Sequence, residues 1–246
     1  MTVSSTRGSR IDGAPTRVWA VVPARGGSKT IPLKNLVTLG GRPLLDYGIR
    51  AAQAWGGFER ILCSTEEARI AERARFLGAE VDTRPAALCE DMTPVADVVA
   101  DILARHGRPD LVVLVQPTSP FLLPAHIGAL VDAMAADPEA RSGQTLAPCP
   151  HNHHAWNQRE VEGGRARFRF QERLRAYNKQ LKPKAWVFGN LVATRPDAVL
   201  AGDGLFADPS AAVPIEPPYD FDVDGPADLL VAEALLSSGR LRLARR

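Results

Sequence analysis

Two glycines, one arginine, two lysines and an asparagine fall within the eleven residues Arg25 to Asn35, directly after the β-branched run Val18 to Val22. Glycines let backbone N–H groups turn toward a ligand and approach it closely. Arginine and lysine place fixed positive charge beside those amides. A strand that runs into such a loop is suited to cradle phosphate. Arg25, Lys29 and Lys34 are the candidate catalytic cations, and Ala24, Gly26, Gly27, Ser28 and Asn35 the candidate nucleotide-binding positions. The loop has neither Gly-x-x-x-x-Gly-Lys-Ser/Thr nor Gly-x-Gly-x-x-Gly, so a Walker-type or dinucleotide site is not expected.

Two further segments carry chemistry. In Phe221-Asp222-Val223-Asp224 the acidic residues alternate with apolar ones, so on a strand both carboxylates face one side. Carboxylates that point the same way repel unless a cation joins them, and Mg²⁺ binds carboxylate and phosphate oxygens together. Asp222 and Asp224 are therefore the expected metal ligands. The apolar run Leu111 to Val115 ends in Gln116-Pro117-Thr118-Ser119-Pro120. The prolines stop the strand, and the Gln116 amide offers a donor and an acceptor to a base edge or ribose. Cradle, carboxylate pair and glutamine together specify nucleotidyl transfer, with attack on the α-phosphorus and departure of pyrophosphate. In that scheme Arg25 and Lys29 hold the leaving β and γ phosphates. Lys34 and Asn35 lie nearer the α-phosphate.

The surrounding elements must position these groups. Apolar spacing predicts helices over Pro43–Trp55, Glu66–Leu77, Val95–His106 and Pro124–Ala136, and another after Pro226. Val18–Val22, Arg60–Cys63 and Leu111–Val115 read as strands. This alternation implies a Rossmann-like, doubly wound α/β fold with a mostly parallel sheet. Ligands of such sheets sit at the carboxyl ends of the strands, where the cradle falls. Residues 16–246 read as a single domain and residues 1–15 as a disordered tail. From 149 to 184 the pattern breaks into an insertion with nine basic residues from Arg159 to Lys184. Glu162-Gly163-Gly164-Arg165 is a hairpin signal. The alternating run Arg167 to Phe170 fits a strand whose Phe168 and Phe170 need burial. His151, His153 and His154 suit contacts to an anion or a solvated loop better than a transition-metal site, having no Cys or carboxylate at ligand spacing.

The chain has 246 residues, 45% of them hydrophobic and 24% charged, which is ordinary for a globular domain. A net charge of +2 argues against a nucleic-acid partner. Apolar runs are far shorter than a membrane span, and residues 1–15 lack the apolar stretch of a secretory signal. Cys63, Cys89 and Cys149 form neither a metal pattern nor a disulfide framework, so the cytoplasm is the expected compartment.

Arg25, Ser28, Lys29, Lys34 and Asn35 resemble the Arg-x-x-Ser-Lys-x-x-x-x-Lys-Asn signature of the CMP-sialic acid synthetases, the acylneuraminate cytidylyltransferase family. Gln116-Pro117-Thr118-Ser119-Pro120, the Asp222/Asp224 pair and Arg84-Pro85-Ala86-Ala87-Leu88 are similar to further segments of that family. The resemblance implies CTP as donor, Mg²⁺ as cofactor, Arg84 beside the nucleotide, and a homodimer whose inserted segment reaches over the neighbouring site. Lys179-Gln180-Leu181-Lys182-Pro183 parallels the family's acceptor segment, which makes Lys179, Gln180, Lys182 and Asn190 the acceptor-binding candidates. There are two departures. Thr30 stands where the family has glycine, a difficulty if φ is positive there. Gly189-Asn190-Leu191-Val192-Ala193 stands where the family has Asn-Gly-Ala-Ile-Tyr. The implied acceptor is a small anion: a sialic-like nonulosonic acid, with a phosphonate or an eight-carbon sugar acid as alternatives. A UTP or ATP donor and a non-catalytic nucleotide sensor are the remaining readings.

Overall fold

The computed structural model describes residues 17–176, 178–241 and 243, together with the backbone of 10–11 and 14–15. The disordered tail expected over 1–15 thus lies mainly outside the described residues; within it, Arg10–Ile11 and Ala14–Pro15 pair as a two-residue ladder. The main elements are β1 (Val18–Pro23), α1 (Leu44–Trp55), β2 (Arg60–Thr65), α2 (Ala68–Phe76), β3 (Glu80–Thr83), α3 (Val95–His106), β4 (Leu111–Val115), α4 (Pro124–Ala136), β5 (Ser142–Pro148), β6 (Arg159–Glu162), β7 (Arg165–Phe168), β8 (Trp186–Thr194), α5 (Pro196–Leu200), β9 (Ser210–Pro214) and α6 (Pro226–Ser237).

Seven strands form one sheet in the order β9-β5-β8-β4-β1-β2-β3. All neighbours are parallel except β8, which runs antiparallel to both β4 and β5. The Rossmann-like expectation is borne out, with that one reversed strand added. The strands read as unbroken apolar runs because both faces are covered. Val18, Ala20 and Val22 pack with α1, α2 and α4 on one face, while Trp19 and Val21 pack with α3 on the other. α6 and the first loop close a third cluster around Leu39, Phe121 and Val223.

The insertion departs from the sheet between β5 and β8. β8 pairs with β4 only as far as Leu191–Val115, whereas β5 and β8 continue together to Pro148–Trp186. β5 therefore runs past the end of β4 by a few residues, about 10 Å at the usual rise. The segment beyond forms an arm at the carboxyl edge. Its hairpin is the one expected: β6 and β7 pair around Gly163 and Gly164, with φ 57° and 77°, the signs a tight hairpin turn requires. The strand ends at Phe168, however, two residues before the expected limit. Arg159 and Arg173 stack on the Phe168 ring at 4.5 and 5.3 Å, which covers it within the chain.

Candidate active site

Loops after β1, β3 and β4 enclose a cavity of about 310 Å³ whose lining includes Arg25, Gly27, Ser28, Lys34, Asn35, Arg84 and Gln116. It lies where β1 and β4 are neighbours and their connections leave in opposite directions, the switch point of a doubly wound sheet. The cradle, Arg84 and Gln116 are therefore brought together.

The first loop is held from beneath. Ala24 is fully buried and donates its N–H to the Ser64 carbonyl at 2.9 Å, so its part is to start the loop rather than to face the cavity. Asn35 is buried and its Nδ2 donates to the Arg25 carbonyl at 2.9 Å, bracing one end of the loop against the other. Gly26 lies so close to α2 that a Cβ there would meet the Glu67 Cβ at 2.8 Å, while nothing stands within 4 Å of one added at Gly27. The Gly26 N–H is taken by a Glu66 carboxylate oxygen at 2.7 Å. Arg25 and Lys29 both reach Asp91, each at 2.6 Å. Lys29 and Arg25, in that order, hold the Asp91 carboxyl below the usual range.

Thr30 explains its own departure from glycine. Among the described residues Leu33, not Thr30, is the non-glycine residue with positive φ. The Thr30 hydroxyl instead donates to the Asp224 carbonyl at 2.6 Å. Lys34 Nζ donates to the carbonyls of Val223 and Asp224 at 3.0 and 3.2 Å and lies 3.6 Å from the Asp224 carboxylate. The cradle is thus fastened to the acidic segment.

That segment is not the strand its alternation would fit; it is irregular chain outside the sheet. Val223 N donates to the Thr118 carbonyl at 2.9 Å, laying the segment along the Gln116–Pro120 turn. Asp222 is drawn in and accepts from Ser119 Oγ at 3.2 Å, while the Asp224 side chain is 87% exposed. Burial first, and the charge of Asp224 after it, push the Asp222 carboxyl up against the opposing Thr118 and Ser119 hydroxyls and Lys34. Burial and the neighbouring Asp224 charge thus leave the Asp222 carboxylate undercompensated, which fits a hard divalent cation at the pair. Among the described residues no three His, Cys, Asp or Glu side chains form a cation cluster; substrate oxygens would have to complete the shell. Asp228 accepts from the N–H groups of Asp224 and Gly225 at 2.9 and 2.8 Å and sets the start of α6.

The acceptor candidates are not gathered at this cavity. Lys179 and Lys182 line a second one, of about 330 Å³, at the base of the arm with His151, His154 and Trp186. Gln180 is exposed in the adjoining turn. Lys182 donates to Asn157 Oδ1 at 2.6 Å, and burial with the nearby Arg173 and Arg159 lowers its pKa. His154 is a staple, accepting from Trp156 N and donating to the Pro183 carbonyl at 3.1 Å. Asn190 is fully buried. Its amide donates to the Tyr219 carbonyl at 2.8 Å and to His126 Nδ1 at 3.1 Å; burial lowers the His126 pKa to about 4, so that ring is the neutral acceptor. The Gly189-Asn190 order follows from a bulge between Phe188 and Val192. Thr145 Oγ1 fills the bulge, accepting from Asn190 N and Leu191 N, each at 2.9 Å. A Cβ at Gly189 would lie 2.7 Å from that oxygen.

Sequence reasoning missed Glu66, Asp91, Ser64, Thr118 and Ser119. Thr118 and Ser119 sit inside a motif already singled out for its glutamine. Asp91 closes the Arg84 segment and drew no role.

A family model described as cytidylyltransferase matches residues 19–166, and the chain belongs to that family. Among curated relatives, N-acylneuraminate cytidylyltransferase A of Danio rerio is 33% identical over 147 residues, 60% of this chain and 33% of that protein. CMP-N,N'-diacetyllegionaminic acid synthase of Legionella pneumophila is 40% identical over 121 residues, 47% of this chain and 52% of that protein. The chain thus spans between a third and about half of the length of these relatives. The expected kinship with the acylneuraminate cytidylyltransferases is borne out. In fold, the chain is similar to CMP:2-keto-3-deoxy-manno-octonic acid synthetase complexed with CTP, with a TM-score of 0.71 at 18% identity over 91% of this chain and 100% of that one. It is also similar to 2-C-methyl-D-erythritol 4-phosphate cytidylyltransferase from Thermus thermophilus, with a TM-score of 0.60 at 19% identity over 89% of this chain and 98% of that one. No helix among the described residues is long and apolar enough to cross a membrane.

Proposed function

We propose that the chain transfers CMP from CTP to a small anionic sugar acid of the nonulosonic class, releasing pyrophosphate. The observation that carries this reading is the attachment of the cradle to the acidic pair through Lys34, at the rim of a cavity that also holds Arg84 and Gln116. An acceptor oxygen attacks the α-phosphorus of CTP, the bond from that phosphorus to the β-bridging oxygen breaks, and the acceptor hydroxyl proton passes to solvent or a base. Such transfers depend on positioning and on neutralising charge.

Arg25 and Lys29 exchange Asp91 for the β and γ phosphates, and Lys34 faces the α-phosphate. Arg84 and Gln116 bind the nucleoside side. Asp222 and Asp224 would hold Mg²⁺, which when bound neutralises charge on the reacting phosphates. Ser119 orients Asp222, and Lys34 keeps the acidic segment against the cradle.

The acceptor class is supported by the basic arm and by the named substrates of the relatives, an acylneuraminate and a diacetyllegionaminic acid. The arm cavity shares no lining residue with the nucleotide cavity, so Lys179 and Lys182 are assigned to the acceptor of a second subunit rather than their own. The assembly this implies is a homodimer, and the three free cysteines suit the cytoplasm as its compartment.

The test is pyrophosphate release with Mg²⁺ across CTP, UTP and ATP, each with sialic-type and legionaminic-type acids, an eight-carbon 2-keto acid and small phosphonates. Release with CTP and a nonulosonic acid is expected. Turnover with UTP but not CTP refutes the donor, and release only with phosphonates refutes the acceptor class. CTP binding without turnover by any acceptor would favour a sensor.

A further inference from the structure

Arg84 is set deeper in the fold than the cations of the cradle: it is buried, whereas Arg25 and Lys34 are half-buried and Lys29 is exposed. A guanidinium has no intrinsic reason to hold one orientation, so its aim depends on what its other N–H groups grip. Two of them grip Ser64. Arg84 Nη2 donates to the Ser64 carbonyl at 2.9 Å, and Nε points at Ser64 Oγ at 3.3 Å. The same carbonyl accepts from Ala24 N, where the phosphate loop begins.

The Ser64 hydroxyl has a single proton. It is donated to Asp82 Oδ2 at 2.8 Å, which leaves the lone pairs for Arg84. Ser64 and Asp82 face each other in the β2–β3 ladder, and both are buried. The other Asp82 oxygen accepts from Arg105 Nη1 at 2.6 Å and His106 Nε2 at 2.9 Å, at the end of α3. The carboxylate therefore cannot turn away from Ser64 without abandoning the Arg105 ion pair and the His106 contact. Burial lowers the Arg84 pKa, so its charge sits in a poorly solvated place where a ligand's polar oxygens would be felt strongly.

We propose that Ser64 and Asp82 are positioning residues that aim Arg84 into the nucleotide cavity, through the chain α3–Asp82–Ser64–Arg84. This rests on the CTP reading above. Neither residue touches nucleotide; their effect passes through one guanidinium.

A double-mutant cycle tests it by equilibrium titration of CTP into wild type, Ser64→Ala, Arg84→Ala and the double variant. Ser64→Ala should weaken CTP binding by about tenfold, the scale of one hydrogen bond to a charged group. Added to Arg84→Ala, it should change the Kd by less than about twofold, because the group it aims is gone. Once CTP is saturating, kcat in Ser64→Ala should stay within about twofold of wild type. Asp82→Asn keeps the shape and serves as a second probe if Ser64→Ala folds poorly; it too should weaken binding only where Arg84 is present. An unchanged Kd in Ser64→Ala, or equal weakening with and without Arg84, overturns the relay and leaves the donor assignment standing. A wild-type protein that CTP does not saturate overturns the donor assignment and the relay with it.

Discussion

Lys34→Met probes the joint on which the site depends. Lys34 has only 14% of its side chain exposed, so methionine preserves most of the apolar stem and removes the charge. Two carbonyls lose a charged donor, at 3.0 Å on Val223 and 3.2 Å on Asp224. A hydrogen bond to a charged group contributes about 1.5–3 kcal/mol. The Val223 residue is buried, whereas Asp224 is exposed and its carbonyl can regain water. The Asp224 carboxylate is too exposed to add more than about 0–1 kcal/mol. One full bond and part of a second give a loss of about 2–4 kcal/mol. For a chain of this size that lowers Tm by about 4–16 °C. Removing a cation that faces the transferred phosphate should also reduce kcat by about 10²–10³-fold. Thermal melts and steady-state rates at saturating CTP, well below the variant's Tm, read the two effects separately. An unchanged Tm would mean that Lys34 does not hold residues 223–224. A lowered Tm with unchanged kcat would mean that Lys34 is a strut alone.

Two other perturbations have definite signs. The Asp222 carboxyl is raised above its ordinary 3.8, chiefly by burial, so its contribution to stability is present below that value and is lost as the pH rises through the folded-state pKa. Asp222→Asn should therefore raise Tm at neutral pH, leave it nearly unchanged below about pH 3, and abolish Mg²⁺-dependent turnover; a variant less stable at neutral pH would show that the hydroxyls of Thr118 and Ser119 outweigh burial. Gly189→Ala forces a methyl against Thr145 Oγ1 at 2.7 Å and Ile215 Cδ1 at 2.8 Å. Overpacking of this kind costs about 1–3 kcal/mol, or about 2–12 °C in Tm for a chain this long, and a melt that does not move would mean that the bulge adapts.

α3 and α4 were legible to the residue, because each pairs an apolar stripe with a proline at its start and α3 ends on Gly107. β1 and β4 were legible as unbroken apolar runs, a pattern that burial on both faces demands. β8 was not: Gly189-Asn190 interrupts its pattern, and only Thr145, far away in sequence, explains the bulge that tolerates them. β9 consists of small residues and proline at the sheet margin, with little strand signal. In the site, the cradle was readable because its residue types imply a ligand by themselves. Asp91, Ser64 and Thr118 were not, since each acts by what stands next to it in space. Asn190 stands in the sequence as an acceptor-binding candidate; the bulge turns it into the interior.

In the proposed reaction the α-phosphate of CTP ends on an acceptor. Incubation of the protein with Mg²⁺, a nonulosonic acid and CTP labelled at the α-phosphorus tests it most directly. The label is expected in a CMP–sugar acid, in step with one unlabelled pyrophosphate per transfer. Label recovered only as CTP, or released as free CMP independently of the acceptor, would contradict it.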